Sequence, residues 1–528
     1  MIKPIVYNTL KEILPDLPLH LEYPANEKHG DYALTSAFAL ARVEKRNPLE
    51  IANEIARKIS SPLFSKVEVM PPGFVNLFLS PEFLYTSLQK MNVDKLTSPR
   101  PKREKVLIEF VSVNPTGPCN VVSARAGAVG DSLVRIFRFL GDDVRSEFYV
   151  CDTGGQIESL GQSLLARVEE LNGAPFLPPP DGYVGEYLIP IAKEFVASGL
   201  RKDVATASRY SVEQIVKQQK ETLKKFRIVF DRWFYEHEIY EKKLDERVIH
   251  ILKTKNLLFE QEGALWFKST AFGDTRDRVI QTRNGKHTYL LPDIAYHWDK
   301  FDRGFDRLLT LLGPDHQGHV PSLKSGVKAI GLPVDKLDVM IVQQVNLVKG
   351  EKILPMSKRG GVFVTLDELM DKIPVDVIRF FFLMRTPSQP LDFDIELALT
   401  ETEENPVYYI QYAHARIASI INFAQKKKIP AGDDPNLKLL TEPETLRLVK
   451  QILIFHEIIE HCWSTLEPHH LVYYLLELAN RFHYFYQKHQ VVSDRVEISR
   501  ARLFLVNKVK EVIRCGLDLL GITSPDKM

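Results

Sequence analysis

Cysteine is scarce and scattered. Four residues, Cys119, Cys151, Cys462 and Cys515, lie far apart in 528 positions, and no Cys-x-x-Cys pair occurs. That spacing argues against a zinc knuckle and a disulfide framework and fits a reducing cytosol. An excess of one charge is also missing: 69 basic and 68 acidic residues leave a formal charge of +1. A polyanionic partner must therefore meet local basic patches, because there is no global positive field. No apolar run reaches the ~18 residues a membrane-spanning helix needs. Met1-Ile2-Lys3-Pro4 opens no cleavable apolar segment, and no solenoid-type repeat is visible. What remains is ordinary globular composition, 45% hydrophobic and 26% charged. The length exceeds one core, so roughly two to four domains are expected.

The chain divides by pattern. Residues 1 to 96 combine helical spacing at Ile51, Ile55 and Ile59 with the strand-like run Gly73-Phe74-Val75-Asn76-Leu77-Phe78-Leu79, an α+β unit. Thr97-Ser98-Pro99-Arg100-Pro101-Lys102-Arg103 is polar, twice broken by proline, and reads as a linker. From 104 to 395 short apolar runs recur at 106–111, Phe148-Tyr149-Val150, Leu308 to Leu312 and Val339 to Val342. The first run leads through a Gly/Pro turn into a helical stretch from about 121 to 140 that ends at Gly141. Strand, turn and helix begin a parallel sheet, so a doubly wound α/β fold is expected. Residues from about 160 to 250 are charged and mostly helical, broken at Pro178-Pro179-Pro180-Asp181-Gly182, and are expected to form an insertion. From 396 to 528 the pattern is helical, and Leu471, Leu475, Leu478 and Phe482 predict a helix bundle.

Chemistry concentrates in two segments. Asn114-Pro115-Thr116-Gly117-Pro118-Cys119-Asn120-Val121-Val122-Ser123 follows the run Val106-Leu107-Ile108-Glu109-Phe110-Val111. A glycine-bearing turn between a buried strand and a helix presents backbone N–H groups and the helix dipole to an anion, which suits a nucleotide phosphate. It suits equally a tight turn that merely needs Gly and Pro. Met356-Ser357-Lys358-Arg359-Gly360-Gly361 is a basic loop whose lysine can neutralise charge developing on phosphate, or else a solvated basic turn. RNA contacts are expected from Lys426-Lys427-Lys428, from Lys217, Lys220, Lys224 and Lys225, and from Arg481-Phe482-His483-Tyr484-Phe485-Tyr486, since bases stack on aromatics and phosphates pair with Lys and Arg. Each also fits a solvated helix face over core aromatics.

Taken together these segments resemble a class I aminoacyl-tRNA synthetase, and within it the arginyl-tRNA synthetases. Asn114 to Pro118 precedes the position of the family's His-x-Gly-His motif, and Ala124-Arg125-Ala126-Gly127-Ala128-Val129-Gly130-Asp131 follows it. Tyr149 to Gln156 resembles the segment after the second strand, and Tyr289-Leu290-Leu291-Pro292-Asp293 resembles the Tyr-x-x-x-Asp amino-acid pocket. Gly313-Pro314-Asp315-His316 is similar to the Gly-x-Asp-His segment, and Met356-Ser357-Lys358 to the Lys-Met-Ser-Lys loop. Asn405 to Ile417 looks like the entry to the anticodon-binding bundle. Gly30-Asp31-Tyr32 and Gly73 to Asn76 resemble the N-terminal tRNA-contacting domain, and Leu520 to Pro525 the family's terminus.

The resemblance implies a Rossmann-like catalytic domain with an insertion, between an α+β tRNA-contacting domain and an anticodon-binding helix bundle. It implies ATP-dependent ligation of arginine to arginine tRNA through an arginyl-adenylate, with AMP and pyrophosphate released and activation dependent on bound tRNA. ATP would arrive with Mg2+, no permanently bound metal is expected, and a cytoplasmic monomer without membrane contact is expected. Glu109 would face the substrate guanidinium, because a carboxylate matches a planar five-donor cation. Ser112 and Asn114 would hold the amino-acid end, and Tyr289 and Asp293 would complete the pocket. Pro118, Asn120, Ser123, Gly313, Asp315, His316, Met356 and Lys358 would bind ATP, with Asp315 and His316 near its ribose. Asn120, Ser123, Ser357 and Lys358 would serve the phosphates during catalysis. Tyr408, Tyr412, Arg416, Arg481 and Tyr484 would touch tRNA. A plainer reading makes Glu109 a solvent-facing edge carboxylate, Tyr289 and Asp293 a packed aromatic and a helix cap, and His316 a structural histidine.

The first signature departs from the family. Asn120, Val122 and Ser123 stand at its His, Gly and His positions, and Pro355 stands at the first lysine of the loop. Asn120 and Ser123 keep hydrogen-bond donors but cannot carry a histidine's charge. A lost transition-state donor costs ~3 kcal/mol, and Arg125 is a candidate to compensate. Val122 puts a branched side chain where glycine would let adenine approach the backbone. Two readings follow: a working synthetase with a variant signature, or a tRNA-binding paralogue without aminoacylation activity. Usable chemistry at Glu109, Ser112, Asn114, Tyr289, Asp293 and Lys358 favours the first. Two tRNA-contacting domains disfavour a small-molecule adenylyltransferase.

Overall fold

Helical spacing in the first unit becomes a buried face. Asn47 accepts from the Leu49 N–H, Pro48 occupies the first turn, and the helix Pro48–Lys58 buries Ile51, Ala52 and Ile55. That face lies against an antiparallel sheet of β1 (Leu21–Glu22), β2 (Tyr32–Leu34), β3 (Phe64–Met70) and β4 (Phe74–Leu79), in the order β1-β2-β4-β3. Gly30 at φ 95 passes so near β4 that a Cβ would stand 2.8 Å from the Leu77 carbonyl oxygen. The computed structural model describes residues 2–24, 26–95, 103–350, 352–354, 365–429, 432 and 435–528.

The run at 106–111 supplies the middle of a parallel sheet. Its strands are β5 (Lys105–Glu109), β6 (Asp143–Val150) and β7 (Arg232–Tyr235) and, beyond a small antiparallel sheet of β8 (Leu258–Gln261), β9 (Ala264–Phe267) and β10 (Arg278–Gln281), β11 (Arg307–Leu312) and β12 (Leu337–Ile341). The order is β12-β11-β5-β6-β7, so successive strands step away from β5 in one direction and then return on its other side. Ligands bind such sheets at this switch point, beyond the carboxyl ends of the strands. The helix Val121–Phe139 crosses β5 closely: a Cβ on Gly130 would stand 2.2 Å from the Phe110 ring.

The stretch expected as an insertion is built differently. Its helices Gly155–Leu171, Leu188–Ala197 and Val204–Lys225 lead into β7, which pairs in parallel with β6. They are the long crossover that a parallel pair requires. What interrupts the sheet comes later, as the helix Leu244–Thr254 and β8 to β10. β7 escaped the sequence pattern because it has only four residues, Arg-Trp-Phe-Tyr, of which Phe234 alone is fully buried.

Beyond β12 a three-stranded sheet joins β13 (Val345–Lys349), β14 (Lys352–Leu354) and β15 (Leu391–Asp394). The C-terminal bundle packs helices Pro406–Lys426, Pro443–Leu453, Phe455–Thr465, His469–Lys488 and Val496–Leu519. Leu471, Leu475, Leu478 and Phe482 are fully buried there, as their spacing predicted. Arg379, wholly buried on the helix Val375–Leu383, ties this bundle to helices that flank the sheet. It donates to Asp131 (2.6 Å), to the Phe226 carbonyl and to the Leu520 carbonyl (3.0 Å each).

The N-terminal unit meets the bundle at Glu457, which accepts from the Lys3 backbone N–H (2.7 Å) and lies against the hydroxyls of Tyr23 and Tyr32. Burial pushes this carboxyl up to about 7, against the downward pull of Lys3. The folded state therefore holds the proton more tightly than the unfolded chain does. The resulting stability is complete below the unfolded carboxyl pKa and is lost as pH rises through about 7. Thermal melts at pH 5 and pH 8 should show a fall in the wild type that Glu457→Gln lessens by up to ~3 kcal/mol. Equal falls in the two proteins would remove this role from Glu457.

Candidate active site

The chain leaves β5 under strain. Val111 stands at φ 70 and Ser112 at φ 39, and the Ser112 N–H donates to the Phe110 carbonyl at 3.0 Å, closing a tight turn around Val111. Positive φ at a β-branched residue is costly and gathers at functional sites. The turn is braced from the crossover helices. Gln219 donates to the carbonyls of Gly117 (2.9 Å) and Asn114 (3.3 Å), the Tyr187 hydroxyl donates to that of Thr116, and Asn114 Nδ2 donates to Gln156 Oε1 (2.9 Å). Ser112 Oγ donates to Glu109 Oε1 (3.0 Å) and accepts from the Tyr149 N–H (3.2 Å), locking the exits of β5 and β6 together.

Glu109 is buried at the end of the central strand, which excludes the solvent-facing edge carboxylate. It also has a cation inside the fold. Lys300 Nζ lies 2.6 Å from Glu109 Oε2, and their side chains are 1% and 7% exposed. Lys300 also reaches Thr310 Oγ1 at 3.3 Å and lies 3.4 Å from His297 Nε2. The carboxylate charge is thus matched before any substrate arrives, so the expected pairing of Glu109 with a guanidinium does not fit this geometry. Lys300 sits ten residues before Thr310 on a separate element, and no local spacing ties it to Glu109.

A second carboxylate meets the requirement that Glu109 fails. Glu236, 6% exposed just past β7, accepts from Thr153 Oγ1 (2.5 Å) and the Tyr240 hydroxyl (3.1 Å). No ion pair to it occurs among the described residues. It lines a cavity of about 860 Å³ together with Cys151, Gln156, His287, Tyr289 and Pro292. Burial and then Glu236 push the Cys151 thiol far above its usual range, so no thiolate competes in the cavity. Sequence reading missed Glu236 because it follows the short β7 inside the presumed insertion. Tyr289, two-thirds exposed, opens the helix Leu290–Asp302 at the cavity wall. Asp293, one turn on, holds His319 Nε2 at 2.6 Å. Burial pulls the His319 pKa down, but the bond to Asp293 outweighs it and leaves the pKa raised. Asp293 is therefore not a helix cap, and His319 is a neighbour that the sequence motif did not single out.

The variant signature forms a helix cap. Asn120 Oδ1 accepts from the Ser123 N–H (2.8 Å), and Ser123 Oγ donates to the Asn120 carbonyl (2.8 Å). The Ser123 hydroxyl proton, expected to serve phosphate, is already engaged in this cap. Val122 is half-buried, and Pro118 lies in the preceding turn. Arg125 does not compensate. It is fully buried, and its guanidinium donates to the carbonyls of Gln343 (2.9 Å), Gln389 (2.8 Å) and Thr386 (3.0 Å). Across the switch point Gly313 leads β11 into Pro314–His316, where Asp315 and His316 are exposed. Met356, Ser357 and Lys358 lie outside the described residues. The residues that follow them return to the signature: Thr365 bridges Asn120, and the Leu366 N–H donates to the Cys119 carbonyl at 2.8 Å.

Three family models match in order. They are the arginyl tRNA synthetase N terminal domain over residues 1–79, the class I (R) tRNA synthetase catalytic domain over 190–375 and the DALR anticodon binding domain over 410–528. An arginine–tRNA ligase of Desulfosudis oleivorans is 41% identical over 97% of this chain and 95% of its own length. The chain belongs to the arginyl-tRNA synthetase family. A second arginine–tRNA ligase, from Caldanaerobacter subterraneus, is also 41% identical, over 97% of this chain and 94% of that one. The Thermus thermophilus arginyl-tRNA synthetase shares the fold, with TM-score 0.79 and 22% identity over the whole of both chains.

In this family member the aromatic–basic residues of the bundle fall on two faces. Arg416 lies 4.4 Å over the Tyr412 ring and 5.2 Å over Tyr486. Arg481, Tyr484 and Lys488 follow one another at helical steps on the His469–Lys488 helix, with Lys488 4.5 Å over Tyr484 and 3.0 Å from Glu444. Arg481 lines a separate cavity of about 410 Å³ with Lys28 and Lys450, between the bundle and the N-terminal unit. Tyr408 lies on the first turn of the bundle, and burial, then Glu401 and Asp376, raise its pKa. Of the crossover lysines, Lys220 lies 4.8 Å over the Trp233 ring and Lys225 lies 3.5 Å from Asp367, and both are exposed. No helix of the described residues is long and apolar enough to cross a membrane.

Proposed function

We propose that the chain ligates arginine to arginine tRNA at the expense of ATP, through an arginyl-adenylate, with release of AMP and pyrophosphate. The observation that carries this reading is Glu236: a buried carboxylate without an ion-pair partner among the described residues, in a cavity at the carboxyl end of the parallel sheet. Such a group calls for a cationic ligand. The arginine guanidinium enters between Glu236 and Asp293 and lies against Tyr289, while Ser112 and Asn114 receive its amino-acid end. ATP lies along the start of the Val121–Phe139 helix, with Pro118 and Asn120 on one side and Gly313, Asp315 and His316 on the other. Helix N–H groups and dipole take over from the missing histidine charges. Met356, Ser357 and Lys358 approach the pyrophosphate. Mg2+ would come with the nucleotide and would supply neutralisation of the phosphate charge.

The arginine carboxylate then attacks the α-phosphorus and pyrophosphate leaves. A hydroxyl of the terminal tRNA ribose attacks the resulting mixed anhydride, and AMP leaves. Tyr412 and Arg416 on one face, and Arg481 and Tyr484 on the other, offer stacking and charge to the tRNA, with Tyr408 beside the catalytic domain. A cytoplasmic monomer is sufficient for this chemistry. No observation favours a paralogue without aminoacylation activity. The test is charging of arginine tRNA with labelled arginine, beside ATP–pyrophosphate exchange with and without tRNA. Charging is expected, with exchange only when tRNA is present. The triple variant Asn120→His, Val122→Gly, Ser123→His should gain less than about tenfold, since N–H groups and the dipole at the start of the helix already serve the phosphates. An inactive native chain beside an active triple variant would reject this reading.

A further inference from the structure

Far from the crevice, imidazoles gather where one bundle helix gives way to the next. Leu466 turns the chain at φ 60, and Glu467-Pro468-His469-His470 begins the helix His469–Lys488. Ligand atoms of Glu467, His469 and His470 all lie within 4.8 Å of one another, and the three residues are half-buried. Glu467 Oε2 stands 3.1 Å from His470 Nε2. The rings of His469 and His470 are 4.0 Å apart, and His461 from the preceding helix lies 4.4 Å from His470. His469 Nδ1 is buried and lacks a hydrogen-bond partner among the described residues, a state it shares with ring nitrogens of His414, His483 and His489, but it alone of these belongs to a cluster of three possible metal ligands.

We propose that Glu467, His469 and His470, with His461 as fourth ligand, form a site for a divalent transition-metal ion of the zinc class. Three imidazoles and one carboxylate suit such an ion, whereas magnesium and calcium select all-oxygen shells. Ligand atoms around tetrahedral zinc stand about 3.4 Å apart, so Glu467, His469 and His470 need only rotamer-scale adjustment, while the His461 ring must turn a nitrogen toward them. The bland alternative is a helix start whose histidines merely pack together; it leaves His469 Nδ1 unexplained.

The location gives the ion a consequence. Glu467 Oε1 accepts from Thr386 Oγ1 at 2.8 Å, and the Thr386 carbonyl is one of those that receive Arg125 of the signature helix. A bound ion fastens the bundle to the segment that anchors that helix. The full-length chain, stripped with chelator, is titrated with zinc chloride alone by calorimetry, and with cobalt chloride for the visible absorption of a tetrahedral centre. One equivalent should bind, and zinc should raise the melting temperature. His469→Gln and His470→Gln should each weaken binding by at least the 10- to 100-fold that even outer-shell losses cost. Glu467→Gln, which keeps an acceptor for Thr386, should do the same and covers the case in which a histidine variant misfolds. Absence of saturable zinc binding to the wild type, or affinity unchanged in these variants, overturns the site.

Discussion

Glu236→Gln is expected to raise the KM for arginine by on the order of 100-fold, while the affinity for tRNA holds. Truncating one partner of a buried, hydrogen-bonded charge pair costs about 2–5 kcal/mol, and ~3 kcal/mol corresponds to a factor near 100. The amide keeps the shape of the carboxylate and can still accept from Thr153 and Tyr240, so the fold should survive. Only the negative charge disappears from the cavity. Discrimination against citrulline, which has the arginine shape without its charge, should fall with it. Aminoacylation at varied arginine, with citrulline as competitor, measures both quantities. A KM within threefold of wild type would show that the guanidinium is bound elsewhere.

Glu109→Gln should act on a different quantity. Lys300 is almost wholly buried and faces Glu109 at 2.6 Å, so removing the carboxylate leaves an ammonium ion inside the protein beside Thr310, His297 and the Tyr296 ring, without a counter-charge in contact among the described residues. Breaking such a pair costs about 3–5 kcal/mol. A lower melting temperature of the catalytic domain is expected, with the arginine KM of the protein that remains folded nearly unchanged. Adding Lys300→Met should recover most of the loss, because a buried pair can often be replaced by apolar groups of similar size at little cost. The coupling between the two changes comes from comparing both single variants with the double. A raised arginine KM with an unaltered melting temperature would return Glu109 to the substrate pocket.

These two carboxylates mark how far the sequence could be read. Glu109 was conspicuous as a charge within an apolar run, and it is buried at the end of the central strand. Its partner was invisible, because Lys300 lies 191 residues away and pairs with it only once the Leu290–Asp302 helix packs beside β5. Glu236 was passed over for the opposite reason. It sits among many charges in a stretch that reads as solvated helix, and only the parallel pairing of β7 with β6 carries it to the crevice. Arg125 shows the same limit. Two residues from the signature it looked available to phosphate, yet helical geometry turns it inward to carbonyls more than 200 residues distant.

The sequence by itself determined the periodic elements and their order. The spacing of Ile51 and Ile55, the run before Glu109 and the leucines of the last helices each express a local rule of backbone geometry. It also determined the family, because many short segments recur in one order along the chain. Tertiary structure alone decided which charges face a ligand and which face one another. A carboxylate does not record in its own neighbours whether its counter-ion comes from the fold or from solution. That depends on what the packed helices bring within about 3 Å of it, the range over which a buried pair is made or missed.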